Sequence, residues 1–129
     1  MAQRTENEIS YIIIGAAIEV HQLFGGPGLL ESIYESALCH ELALRGLQIQ
    51  RQLSVPVRYK NTIVQEPLCL DILVENKVII EVKATEKAHA IHHAQLLTYL
   101  RLTGIKLGLL INFGQVSVKD GIHRVVNGL

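Results

Sequence analysis

The chain has 129 residues, 49% of them hydrophobic and 19% charged, so it carries material for a core and is excluded from the disordered and low-complexity classes. Its length suits one domain, expected to span residues 1–129, and excludes a multidomain machine. Lys plus Arg equal Asp plus Glu at 12 each, and the halves on either side of residue 64 carry about −1 and +1, so there is neither an acidic tail nor a basic arm that would coat DNA nonspecifically.

The amino end, Met1 to Glu8, is polar, and the first apolar run, Ile12 to Ile18, is far shorter than the roughly 18 residues of a membrane span. No signal peptide and no membrane anchor are expected. Thr5 followed by Glu8 forms a capping box. It starts a helix over about Thr5 to Phe24, with Ile9, Ile12, Ile13, Ala16, Ala17, Val20 and Leu23 on one stripe. Gly25-Gly26-Pro27-Gly28 breaks it. There is no Lys-Ser/Thr after these glycines and no strand before them, so they form a helix connection and not a phosphate loop. A second helix follows from Leu29 to Arg45, with Leu30, Ile33, Ala37, Leu38 and Leu42 toward a core and Gly46 as the left-handed cap. Cys39 and Cys69 stand thirty positions apart with no CxxC, which argues against a disulfide scaffold or zinc site and for a reducing cytoplasm.

Beyond Gly46 the period becomes two. Leu47 and Ile49, then Val55, Val57 and Tyr59, alternate with polar residues and read as strands. Asn61-Thr62 is a turn, Glu66 to Val74 a further strand, Glu75-Asn76-Lys77 a tight connection, and Val78 to Ala84 an almost wholly apolar strand expected at the sheet centre. Helical spacing returns from about Lys87 to Leu102 through Ile91, Leu96 and Leu100, and Gly104 ends it. Lys106 to Asn112 is a buried strand, and Asp120-Gly121 a turn into a last strand, Ile122 to Val126. The order ααββββαββ describes an α/β domain without repeats or linkers.

Two strands carry charges that a core strand should lack. In Val78 to Ala84, Ile79, Glu81 and Lys83 share one face and Ile80, Val82 and Ala84 the other. Burying such groups costs several kcal/mol unless something compensates them. The preceding strand carries Asp71. If the connection is a three-residue loop centred on Asn76, Asp71 falls opposite Glu81, with Cβ atoms about 4.5–5.5 Å apart, where like charges repel. A divalent cation reverses that sign, because Mg²⁺ is commonly held by one or two carboxylates together with phosphate oxygens and water. A lysine two residues further on the same face could then orient or deprotonate a metal-bound water. The competing reading is a hairpin with a solvated polar face on which Glu81 pairs with Lys83 or a neighbour.

Asp71 with Glu81-Val82-Lys83 resembles the PD-(D/E)XK nuclease signature, and Gly28-Leu29-Leu30-Glu31-Ser32-Ile33-Tyr34 resembles the motif that names the GxxExxY proteins, a bacterial branch of that superfamily. Gln95-Leu96-Leu97-Thr98-Tyr99 is similar to the Q-x3-Y helix motif of RecB-type nucleases. The similarity runs from Ala17 to Leu129. One departure is Cys69, where related sequences are expected to carry a basic residue.

The resemblance implies a PD-(D/E)XK restriction-endonuclease-like core, a mixed central sheet flanked by helices, with the site on the edge formed by the two acidic strands. It implies that Asp71 and Glu81 ligate Mg²⁺ or Mn²⁺, with the Val82 carbonyl as a further ligand, Lys83 positioning the attacking water, and Glu31 as an additional ligand or base. Glu31, Tyr34, Glu35 and Leu38 recur at i, i+3, i+4 and i+7, so Tyr34 is expected to accompany Glu31 into the site. Gln95 and Tyr99, an i, i+4 pair with His92 one turn earlier, would contact phosphate or orient Lys83. Each has a plainer reading: Glu31 as a first-turn acid, Gln95 and Tyr99 as a surface pair, and His21 as a buried, hydrogen-bonded residue near the site. A zinc patch at His89, His92 and His93 is disfavoured beside a carboxylate site.

The leading expectation is therefore a magnesium-dependent nuclease acting on DNA rather than RNA. The alternative is a binding module that keeps the fold without turnover. Neutral charge and few aromatic residues make nucleic-acid affinity the weak link. A homodimer, through Leu44, Leu47 and Val126 to Leu129, or a protein partner is expected to supply it.

Overall fold

The computed structural model describes residues 3–87 and 89–129. Met1 and Ala2 of the polar amino end, and Ala88 within the expected third helix, lie outside the described residues. Helix α1 (Glu6–Leu23) starts at the capping box: the Glu8 amide donates to the Thr5 hydroxyl and the Thr5 amide donates to the Glu8 carboxylate. Helix α2 (Glu31–Leu44) ends where Gly46 takes a left-handed φ of 84°. The sheet strands are β1 (Ile49–Val55), β4 (Leu68–Val74), β5 (Val78–Lys83), β6 (Leu107–Asn112) and β7 (Ile122–Val126), in spatial order β1-β4-β5-β6-β7. Strands β2 (Arg58–Tyr59) and β3 (Thr62–Ile63) form a separate small hairpin, and helix α3 (Ala90–Thr103) joins β5 to β6. The expected four strands before α3 are five, because Thr62–Ile63, just past the expected turn, pairs back on Arg58–Tyr59 as a strand of its own, while β1 runs on through residues 51–55 where the apolar alternation lapses.

β5 holds the sheet centre as its composition requires. It runs antiparallel to β4 and parallel to β6, the mixed sheet flanked by helices that the sequence implied. Ile72, Val74, Ile80, Val82, Leu109 and Ile111 pack under α1 and α2, whereas Leu73, Ile79 and Leu110 pack with Leu96 and Leu100 of α3. The antiparallel pairs Val74–Val78, Leu73–Ile79 and Ile72–Ile80 give the register expected from a three-residue loop at Glu75-Asn76-Lys77. Glu75 and Asn76 turn that loop with φ of 53° and 56°. Gly108 lets α3 approach closely, since a Cβ there would stand 2.9 Å from Leu96. Among the described residues no helix is long and apolar enough to cross a membrane.

Several expected core positions face outward. Leu23 is 77% exposed, Leu30 71% and Ile91 69%. Each sits at a helix end or one residue from it. Tyr34 takes the core place instead, fully buried and stacked on Phe113 at 4.8 Å between ring centroids. Leu47, expected at a dimer surface, is buried in the α1/α2 core, while Leu44, Val126 and Leu129 are exposed.

Candidate functional site

The β4–β5 ladder stops at Ile72–Ile80, one pair short of Asp71 and Glu81. At that point the strands part, and each acid bonds to the other strand's backbone. The Asp71 amide donates to Glu81 Oε1 at 3.3 Å, and the Val82 amide donates to Asp71 Oδ2 at 2.9 Å. Both acids therefore lie between two interior strands, at the end of their pairing and not along a lateral edge of the sheet. Glu81 is 6% exposed. Burial first, and the Asp71 charge second, push its carboxyl up to about 8, so the Glu81 carboxyl is mostly protonated at neutral pH when nothing else compensates it. A hairpin with a solvated polar face does not fit that burial. Glu81 makes no ion pair with Lys83 among the described residues.

Lys83 ends β5 on the same face, half-buried and level with Asn112 of β6. Its charge holds down the Glu31 carboxyl, whose pKa is nonetheless raised because burial, Asp71 and Glu35 outweigh it. Burial and the Lys83 charge both lower the His92 pKa. On α3, Gln95 Nε2 donates to the Tyr99 hydroxyl at 2.7 Å, and burial together with the Glu81 charge raises the Tyr99 pKa. Glu31, Asp71, Glu81, Lys83, His92, Gln95 and Tyr99 thus share one electrostatic neighbourhood built from α2, β4, β5 and α3. Among the described residues no three acids, histidines or cysteines gather into a ready-made metal cage, so Glu31 does not join Asp71 and Glu81 at a single point. The oxygen donors present, two carboxylates and the adjoining Val82 backbone, suit a hard divalent cation that completes its shell with water or phosphate. The burial of Glu81 beside Asp71, with no ion pair to it among the described residues, is the observation that supports this fit.

For neighbouring residues, the expectation for Tyr34 changes, and the burial and hydrogen bond expected of His21 are found. Tyr34 does not enter the site: its hydroxyl donates to the Gly26 carbonyl at 2.8 Å and accepts from the Leu29 amide at 3.2 Å, fastening the glycine connection to α2. His21 is buried and hydrogen-bonded, with Nε2 3.0 Å from the Gln115 carbonyl, and it braces the segment after β6. Asn112, also buried, locks the chain beyond Lys83. Its Oδ1 accepts from the amides of Thr85 and Gly114, and its Nδ2 donates to the Thr85 carbonyl.

Sequence reasoning placed Glu35 on the Glu31 face without a partner and missed Arg51 and Gln52. Glu35 is buried at 4% exposure and accepts from Arg51 Nε at 2.6 Å. Gln52 stands in the middle of β1 with φ of 52°, in the left-handed region. The β1–β4 ribbon changes face at this residue. Ile49, Ile72 and Val74 pack toward α1 and α2, while Leu53, Val55, Leu68 and Leu70 pack toward α3. Strict alternation would keep Ile49 on one side with Leu53 and Val55, and Leu68 and Leu70 on one side with Ile72 and Val74. The polar run Gln50-Arg51-Gln52 interrupts the apolar alternation here, but none of its residue types marks a left-handed backbone.

Residues 7–125 match the family model described as the PD-(D/E)XK nuclease superfamily. No curated protein and no solved structure matches the chain.

Proposed function

Because the chain belongs to the PD-(D/E)XK nuclease superfamily, we propose that it is a divalent-metal-dependent nuclease of the GxxExxY branch, folded as one domain over residues 1–129 and hydrolysing phosphodiester bonds in DNA. The observation that carries this reading is the crossed pair Asp71 and Glu81 at the parting of β4 and β5, with Lys83 two residues on. Asp71, Glu81 and the Val82 carbonyl would hold Mg²⁺ or Mn²⁺, with Glu31 at the rim, and the cation would supply charge to the scissile phosphate and acidity to its bound water.

The chain's own residues do the rest. Lys83 Nζ orients the attacking water and takes part in moving its proton. Gln95 and Tyr99, already joined to each other, face the same charges from α3 and position phosphate oxygens or the lysine. Glu31 offers a second carboxyl to accept a proton. Asn112 fixes the backbone after Lys83, so the amine projects from a rigid strand end.

A second reading, favoured by the equal counts of acids and bases, keeps the fold and the cation but turns over only with a second copy or a cytoplasmic protein partner that supplies the missing basic surface. Both readings are tested by melting the protein in EDTA, Mg²⁺ and Mn²⁺ beside Asp71→Ala, then assaying cleavage of single- and double-stranded DNA and RNA on the same samples. A metal-dependent rise absent from the variant, with cleavage, establishes the nuclease. A rise without cleavage favours the partner-dependent module, and no rise refutes the metal site.

A further inference from the structure

Gln52 brings together three observations that the proposed chemistry leaves unused. Its backbone is left-handed in mid-strand, a conformation that residues other than glycine and asparagine avoid. Its side-chain Nε2 lies 2.9 and 3.1 Å from the two oxygens of the buried Glu35 carboxylate and 3.5 Å from Asp71 Oδ1. Its Oε1 accepts from Cys69 Sγ at 3.2 Å. A primary amide has two N–H donors, so one meets Glu35 of α2 while the other points at Asp71 of β4. The opposite orientation would set the amide oxygen against two carboxylates, and the thiol of Cys69 holds the oxygen on the far side.

We infer that Gln52 is a positioning residue, its strained backbone aiming one amide between Glu35 and Asp71 so that the Asp71 carboxylate is held ready for a cation. The inference rests on the proposed role of Asp71. Asp71 Oδ2 is held by the Val82 amide at 2.9 Å, and Gln52 Nε2 faces Oδ1 across a longer 3.5 Å contact that biases the carboxylate's orientation. Glu35 is held in turn by the Arg51 guanidinium. The bend at Gln52 is thus more than a turn in the ribbon: it converts a strand residue into a link between the acidic helix and the acidic strand.

Glycine separates the two possible roles, because it adopts the left-handed backbone without strain but has no side chain. A residue serving only the bend would leave Gln52→Gly as stable as the parent and as able to bind metal. The positioning role predicts that Gln52→Gly melts in EDTA at or above the parent temperature yet binds Mn²⁺, titrated alone by calorimetry, about tenfold more weakly, with cleavage falling alongside. Gln52→Asn, which also tolerates the backbone but carries the amide one methylene shorter, is expected to lose the same affinity and keeps the test open should the glycine variant fold poorly.

A metal-free readout separates this inference from the proposed function. In EDTA, Glu35→Gln and Asp71→Asn should be non-additive by at least about threefold in the unfolding equilibrium constant when Gln52 is present, and additive in the Gln52→Gly or Gln52→Asn background. If the parent binds no Mn²⁺, the nuclease reading falls and this cycle alone decides the inference. Equal coupling in both backgrounds overturns it.

Discussion

Substituting Glu81 with glutamine should stabilise the metal-free protein at alkaline pH, an unusual result for a buried position. The Glu81 carboxyl is raised from 4.5 to about 8 by burial and by Asp71. Between those values the folded chain holds a proton that the unfolded chain has released, so stability falls as pH rises from about 4.5 to 8, and the whole penalty is present above that. At about 1.4 kcal/mol per pKa unit the full shift caps the penalty near about 5 kcal/mol. Relaxation of the site toward water brings the expected value to roughly 2–5 kcal/mol. The substituted amide is neutral at every pH and escapes that loss. For a chain of this size the gain corresponds to a melting temperature about 10 °C higher at about pH 8.5. The assay is a pair of denaturation series in EDTA from about pH 5.5 to 8.5, read as the difference between parent and Glu81→Gln so that other titrating groups cancel. The parent should lose ground steadily through the range, and added Mg²⁺ should restore it only in the parent. Because the cation must displace the proton, its apparent affinity should be about 100-fold weaker at about pH 6 than above about pH 8. A difference between the two proteins that is flat with pH would refute the protonated, cation-ready Glu81.

Lys83→Met should lower DNA cleavage by about 10²–10⁴-fold, the usual worth of a positioned proton-transfer group, while the Mn²⁺-dependent rise in melting temperature survives; loss of both would mean that the lysine serves the fold. Asn112→Ala should cost about 1–3 kcal/mol in all for the two part-buried amides it orphans, at Thr85 and Gly114, seen as a lower denaturation midpoint, and an unchanged midpoint would show that water replaces it.

The pairing of Asp71 with Glu81 is legible in the sequence because a sheet's side-chain period is two and a tight hairpin fixes the register. With Glu75-Asn76-Lys77 as the loop, the two acids have to meet, and the ladder from Val74–Val78 to Ile72–Ile80 bears out that register. The central place of β5 follows in the same way from its apolar run. The structure adds that the ladder ends one pair before the acids, so each caps the other strand's backbone. Register arithmetic carries no information about where a ladder opens.

The second helix is harder, because Glu31, Tyr34 and Glu35 obey the same i, i+3, i+4 spacing whatever they do. Periodicity groups residues on a face without saying which end of the face meets the site. Here the helix rotates so that Tyr34 sinks against Phe113 and fastens Gly26, while Glu35 turns toward β1. The left-handed Gln52 is invisible for a different reason: glutamine carries no preference for that backbone, so its conformation is imposed by the tertiary contacts and not announced locally. A residue that accepts strain without a propensity for it is held there by its partners, and both partners of the Gln52 amide nitrogen are carboxylates of the acidic cluster. The least legible residue in the chain is therefore the one whose geometry depends most on the site being assembled.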